Sequence, residues 1–167
     1  MAHVHLVLGP VGAGKSTFGR RLAAEHTAVR LTVDDWMPVL FSPDRPDSDV
    51  MSWYTERVER VVEQIWRVAL GVLAVERDVV LELGLIRRDQ RAAFFWRVGS
   101  DAPPMTIYQL DAPREVRRAR ILKRNDERGE TWAMDVPPEI FELASDLWQP
   151  LTPAEREGRD VRDVATA

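Results

Sequence analysis

Hydrophobic and polar positions along the chain alternate between two patterns. Val4 to Leu8 is a short, mostly apolar run cut off by Gly9-Pro10, the mark of a buried strand entering a loop. From Lys15 to about His26 the period lengthens to that of a helix, with Phe18, Leu22 and Ala23 on one side. Val29 to Val33 is strand-like again and leads straight into Asp34-Asp35, and Ser42 to Asp49 is a loop rich in proline and aspartate. The clearest periodicity follows: Met51, Tyr54, Val58, Val61, Ile65, Val68 and Val72 recur at spacings of three and four, one face of a long helix. Val79 to Leu83 predicts a second buried strand, Arg88 to Val98 a helix and Met105 to Leu110 a strand. Ala112-Pro113 and Pro137-Pro138 each open a helix, the second running to about Trp148, and Arg159 to Val164 reads as a last edge strand.

Strands alternating with helices predict an α/β fold of three layers, a mostly parallel sheet covered on both faces. The 167 residues suffice for one domain over 1–167, with no internal repeat, low-complexity tract or linker to divide it. A formal net charge of −4 argues against a surface built as a whole to grip nucleic acid, although a local basic patch does occur. The absence of cysteine excludes disulfides and thiolate chemistry. No apolar stretch approaches the roughly 20 residues of a membrane span and no leader pattern is evident, so the expectation is a cytoplasmic protein with no membrane partner. Three histidines, two of them close to Met1, argue against a dedicated histidine metal site.

Gly9-Pro10-Val11-Gly12-Ala13-Gly14-Lys15-Ser16 fits the pattern GxxxxGK[ST], with a predicted strand before it and a helix after it. Glycines let the backbone curl so that its N–H groups point inward at phosphate oxygens, and the positive end of the following helix faces the same anion. In such a loop Lys15 reaches the terminal phosphates of ATP and the Ser16 hydroxyl holds Mg²⁺, with Thr17 beside it in the first helical turn. No Asn-Lys-x-Asp string is present for reading guanine.

Acids stand at the ends of two predicted strands, the place where open parallel sheets leave their ligand crevice. Asp34 can take the proton of an attacking hydroxyl, with Asp35 beside it as a capping partner, although a helix N-cap alone would use the same residue type. Glu82 ends the Val79-Val80-Leu81 run in the manner of a Walker B acid, as a holder of magnesium or orienter of an acceptor; a solvated strand end is the alternative. Trp36, Trp53 and Tyr54 are candidates for an acceptor wall or for core. Arg91, with Arg87 and Arg88, is a candidate anion contact.

Seven basic residues lie between Arg114 and Arg128, and Arg117, Arg120, Arg124 and Arg128 line one helix face. Alone, such a face is ordinary solvated surface. The string Arg124-Asn125-Asp126-Glu127-Arg128-Gly129-Glu130-Thr131, followed by Val136-Pro137, resembles the mobile lid of P-loop kinases of the polynucleotide-kinase type. That group includes zeta-toxin-like and chloramphenicol-phosphotransferase-like kinases and bacterial AAA-type ATP-binding proteins; the phosphate loop and Asp34-Asp35-Trp36 are similar to it as well. The resemblance implies a nucleotide-kinase-like P-loop NTPase fold with a helical lid at about 124–137, in which Arg124 and Arg128 contact the nucleotide phosphates. Members acting on polynucleotides carry an arginine three residues after the catalytic aspartate, where this chain has Met37. The expectation is therefore transfer of the ATP γ-phosphate to a hydroxyl of a small molecule. The alternatives are a nucleotide-dependent regulatory module without an acceptor and a 5′-hydroxyl polynucleotide kinase.

Overall fold

The computed structural model describes residues 1–129 and 135–166. In chain order its elements are β1 (Val4–Leu8), α1 (Lys15–His26), β2 (Val29–Thr32), α2 (Val33–Leu40), α3 (Val50–Ala74), β3 (Val79–Glu82), α4 (Arg88–Val98), β4 (Met105–Asp111), α5 (Arg114–Glu127), α6 (Pro138–Leu147), α7 (Pro153–Arg156) and β5 (Asp160–Ala165), with a 3-10 turn at Ser42–Asp44. The strands form one sheet in the order β2-β3-β1-β4-β5, and every neighbouring pair is parallel. The sheet expected to be mostly parallel is thus wholly parallel among the described residues. Parallel neighbours cannot be joined by tight hairpins, so helices carry the chain back between strands.

β1 lies in the middle, paired with β3 through Val4↔Val79 and with β4 through Val4↔Met105. The chain builds β2 and β3 on one side of it and β4 and β5 on the other. The carboxyl end of β1 therefore sits where the strand order reverses, the position at which open α/β sheets bind ligands. Alternation along β1 sends Val4, Leu6 and Leu8 to one face, where they meet Val61, Ile65, Trp66 and Ala69 of α3 and Phe94 of α4. Val7, with Val80, Tyr108 and Leu110, packs on the other face beneath Phe18 and Leu22 of α1. Each such fully buried aliphatic side chain contributes about 1.5–3 kcal/mol of burial free energy. The predicted stripe of α3 packs on the core from Tyr54 to Val72, most deeply at Val61 and Ile65, while Met51 is 57% exposed.

Two helices depart from the sequence expectation. Val33 to Leu40 forms α2, where a strand end and a loop were expected; Pro38 within so short a helix hid it. Its N-cap is Thr32, whose Oγ1 accepts the Asp34 N–H at 3.1 Å, so Asp35 is not the capping partner. α7 was also missed, although Thr152 and Glu155 form a reciprocal capping box around it.

The expected lid begins in the last turn of α5, which Arg128 closes with a left-handed φ of 45°. Of the described part of the expected lid, residues 124–127 are helical, as the end of α5, and residues 135–137 are not. Residues 130–134, including Glu130 and Thr131, lie outside the described residues. The two ends of the segment are tied together: Asn125 Nδ2 donates to the Val136 carbonyl at 2.8 Å and Oδ1 accepts the Val136 N–H at 3.1 Å. Among the described residues no helix is long and apolar enough to cross a membrane.

Candidate functional site

The loop from Gly9 to Ser16 leaves β1 at the reversal point and curls into α1. Gly14, the N-cap of α1, has a φ of 86°, and Gly12 a φ of 78°, both in the left-handed region that a Cβ disfavours. Gly12 has a second constraint, because a Cβ there would lie 2.7 Å from the Arg117 carbonyl oxygen of α5. Lys15 Nζ donates to the carbonyls of Gly9 and Pro10, each at 2.9 Å, so the ammonium is held inside the curl.

The loop rests on arginines of α5. Arg117, 6% exposed, donates from Nη1 to the Val11 carbonyl at 3.0 Å and from Nε to the Ala112 carbonyl at 3.0 Å. Arg120 donates to Gly12 O and to Thr166 Oγ1, and Thr166 donates in turn to Ala13 O at 2.8 Å. The basic run of α5 thus divides by neighbour: Arg117 and Arg120, on the face read from spacing, brace the phosphate loop, while Arg114 and Arg118, off that face, pair with Glu142 of α6.

A second chain of contacts fixes the acids. Ser16 Oγ donates to Glu82 Oε2 at 3.3 Å, and Arg30 Nε donates to Glu82 Oε1 at 2.5 Å. Arg30 also pairs with Asp35 Oδ2 at 3.1 Å. Glu82 is only 4% exposed, which rules out the solvated strand end considered from sequence. Room for it comes from Gly19 on α1, where a Cβ would stand 2.3 Å from Glu82 Oε1. Sequence reasoning missed both Arg30 and Gly19; a charged residue inside the Val29–Thr32 strand was the available signal for the first.

Asp34, exposed in the first turn of α2, acts on four neighbours at once. Burial lowers Lys15 from the ordinary lysine range; Asp34 and Glu82 pull it back up, while Arg124 and Arg117 push it down. Burial likewise lowers Arg124, with Asp34 opposing it. Tyr54 of α3 is raised to about 12 by burial and then by Asp34, and Arg30 feels the same carboxylate. Asp34, Lys15, Glu82 and Arg124 therefore share one electrostatic neighbourhood at the carboxyl edge of the sheet. Arg124 Nε is buried and finds no hydrogen-bond partner among the described residues. A buried guanidinium donor left in this way fits an anion.

Residues 4–151 match the AAA domain. The chain belongs to the AAA domain family. It is a P-loop kinase-like member of that family, and its α/β fold with a parallel sheet matches that of P-loop kinases. Solved structures with the same fold include a kinase candidate from Chloroflexus aurantiacus, at 19% identity and TM-score 0.74 over 98% of this chain and 85% of that one. A gluconokinase from Sinorhizobium meliloti matches at 15% identity and TM-score 0.56, over 99% and 83%. Kti12 from Chaetomium thermophilum in complex with ADP-AlF3 matches at 15% identity and TM-score 0.69, over 97% and 88%. No curated protein matches the sequence.

Within this AAA-domain fold, not every expected site residue reaches the cleft. Arg91 is fully buried, pairs with Glu155 through Nε at 2.7 Å and donates to the Gln149 carbonyl at 2.8 Å. It locks α4 to the segment before α7 and has no donor left over for substrate, which corrects the expected anion contact. Arg87 is occupied by Asp89 at 2.8 Å. Arg128 pairs with Asp135 at 2.9 Å across the base of the lid. Trp36 and Tyr54 pack half-buried against the core, and Trp53 stacks under Arg57 at 4.5 Å. Met37 is 1% exposed and belongs to the core.

Proposed function

We propose that this protein is an ATP-dependent phosphotransferase that moves the γ-phosphate to a hydroxyl of a small molecule. The observation that carries the reading is the convergence of Asp34 with Lys15 and with the unpartnered buried Nε of Arg124. A module that only senses nucleotide has no use for a carboxylate acting on both of these cations.

In this reading the loop of Gly9, Pro10, Val11, Gly12, Ala13, Gly14, Lys15, Ser16 and Thr17 binds ATP through the backbone N–H groups of its residues other than Pro10, which has none, and through the Lys15 ammonium. Ser16 Oγ and the Glu82 carboxylate are hard oxygen donors that already lie together, the donor type Mg²⁺ takes; bound there, the ion would neutralise phosphate charge. Asp34 accepts the acceptor's hydroxyl proton as the oxygen–phosphorus bond forms and the bond to the leaving ADP oxygen breaks. Arg124, joined by Arg128 from the lid, donates to the transferring phosphoryl group, whose spread charge suits a planar fork. Asp35 holds Arg30, which holds Glu82, while Trp36 and Tyr54 border the acceptor side. Burial of Met37 leaves the acceptor side without the arginine expected for a polynucleotide 5′ end, which favours a small acceptor such as a sugar or sugar acid.

The test is release of ADP from ATP across a panel of sugars, sugar acids and nucleosides, with transfer followed by labelled γ-phosphate. Acceptor-dependent release is expected, reduced about 10²–10⁴-fold in Asp34→Asn while ATP affinity stays unchanged. Acceptor-independent hydrolysis alone would support the regulatory module instead, and labelling of 5′-hydroxyl oligonucleotides the polynucleotide kinase.

A further inference from the structure

All three histidines of the chain meet at one place, at the edge of the sheet opposite the phosphate loop. His3 and His5 lie at the start of β1, His26 ends α1, and Asp78 immediately precedes β3, whose Val79 is in register with Val4. The rings of His3 and His5 are 4.8 Å apart and those of His5 and His26 4.2 Å apart. His5 Nε2 lies 3.6 Å from Asp78 Oδ2, and His26 Nδ1 lies 3.9 Å from the same oxygen. One ligand atom from each of His5, His26 and Asp78 falls within 4.8 Å of the other two.

Two observations separate this cluster from a chance meeting of polar groups. His5 is only 4% exposed, and its Nε2, aimed at the cluster, has no hydrogen bond within 3.5 Å among the described residues, Asp78 Oδ2 standing just beyond at 3.6 Å. A polar atom buried without a partner costs free energy that a ligand would recover. The outer atoms, by contrast, are fixed as they are around bound metals: His5 Nδ1 lies 3.3 Å from the Tyr108 hydroxyl, and Asp78 Oδ1 accepts the His3 backbone N–H at 2.8 Å. His26 also stands at the carbonyl end of α1, where the helix dipole favours a cation.

We propose that His5 Nε2, His26 Nδ1 and Asp78 Oδ2 form a binding site for a divalent transition-metal ion of the Zn²⁺ type, pinning the end of α1 to the sheet. Separations of 3.6 and 3.9 Å are close to the edge of about 3.4 Å in a tetrahedron with bonds of about 2.1 Å, and with all three ligand atoms within 4.8 Å of one another, side-chain movements of about 1 Å complete it. Two imidazoles and one carboxylate suit Zn²⁺ rather than Mg²⁺ or Ca²⁺, which prefer all-oxygen sets, so the magnesium of a nucleotide complex would not compete. The side chains of His26 and Asp78 are 41% and 23% exposed, which gives the ion a path from solvent and leaves a fourth position to water. The sequence argued against a histidine metal site because there are only three histidines and two of them lie close to Met1; α1 brings His26 back to those two.

Titration of the full chain with Zn²⁺ in a calorimeter, without nucleotide, tests the site. The expected result is one saturable equivalent, with affinity reduced at least about tenfold in His26→Ala, the loss that even an outer partner of a metal ligand produces. Zn²⁺ should raise the thermal midpoint of the wild type but not of His26→Ala, and Co²⁺ should give tetrahedral visible absorption only in the wild type. His26→Ala should leave ATP binding and metal-free stability unchanged, since that ring is partly exposed and remote from the phosphate loop. The proposal is overturned if no stoichiometric binding occurs, or if His26→Ala and Asp78→Asn both bind Zn²⁺ as the wild type does. Either result leaves a packed polar cluster with no metal role and does not touch the phosphotransfer reading.

Discussion

The Ser16 hydroxyl donates to the Glu82 carboxylate at 3.3 Å, joining the first turn of α1 to the end of β3 across 66 positions of sequence. The contact exists because Gly19, one turn further along α1, leaves space for the acid. Gly19→Ala should therefore displace Glu82 and strain its pairing with Arg30, at a cost of about 1–3 kcal/mol, because the yielding atoms are side-chain ends. A chain that still folds but needs markedly more Mg²⁺ for nucleotide turnover is the expected outcome. Thermal melts and Mg²⁺ titrations of ADP release would show it; an unaltered Mg²⁺ dependence would mean that Glu82 does not serve the metal.

Lys15 is the only ammonium held within the curl of the phosphate loop among the described residues, with both of its bonds made to loop carbonyls. Its replacement by alanine should weaken ATP binding by about 1.5–3 kcal/mol, the value of hydrogen bonds to a charged group. Fluorescent-nucleotide titration measures this directly. Wild-type affinity in Lys15→Ala would contradict nucleotide binding through this loop.

Arg117 sits beneath the loop and acts on nucleotide only through it. Arg117→Ala removes charged hydrogen bonds to the carbonyls of Val11 and Ala112, each worth about 1.5–3 kcal/mol. Loss of stability should come together with loss of ATP affinity, whereas Arg118→Ala, on the α6 side of the same helix, should change neither appreciably. Comparable effects from the two substitutions would remove the distinction drawn between the two sides of α5.

Arg91 and Glu155 give stability a definite acid dependence. Burial opposes ionisation of Glu155, but hydrogen bonds from Arg91 and Thr152 outweigh it and bring the carboxyl from 4.5 to about 2. The folded value lies below the unfolded one, so the stabilisation is complete above about pH 4.5 and is lost as pH falls toward 2. Glu155→Gln should be less stable at neutral pH by about 3 kcal/mol, since Arg91 stays buried without its anion. Its stability should also fall less between pH 5 and 2, as followed by circular dichroism; parallel curves for the two proteins would overturn the assignment.

The phosphate loop was readable from sequence because its chemistry is local. Strand, glycines, lysine, serine and helix follow one another within a few residues, and backbone geometry alone orients them. Strand-end acids were readable for a related reason: an apolar run that stops at Glu82 or just before Asp34 places those residues at the sheet's edge whatever the order of the strands. The periodicity of α3 and the limits of α1 and α4 likewise follow from spacing and breakers.

Tertiary structure decided which identical residue types do which work. Arg91 and Arg117 look alike in sequence, yet one is consumed by Glu155 and backbone carbonyls and the other braces the phosphate loop, because different elements pack over α4 and α5. Arg30, Gly19 and the gathering of His3, His5 and His26 were equally beyond local reading. Each depends on where a crossover helix returns relative to β1, and a contact between distant residues exists only once the order and register of the parallel strands are set.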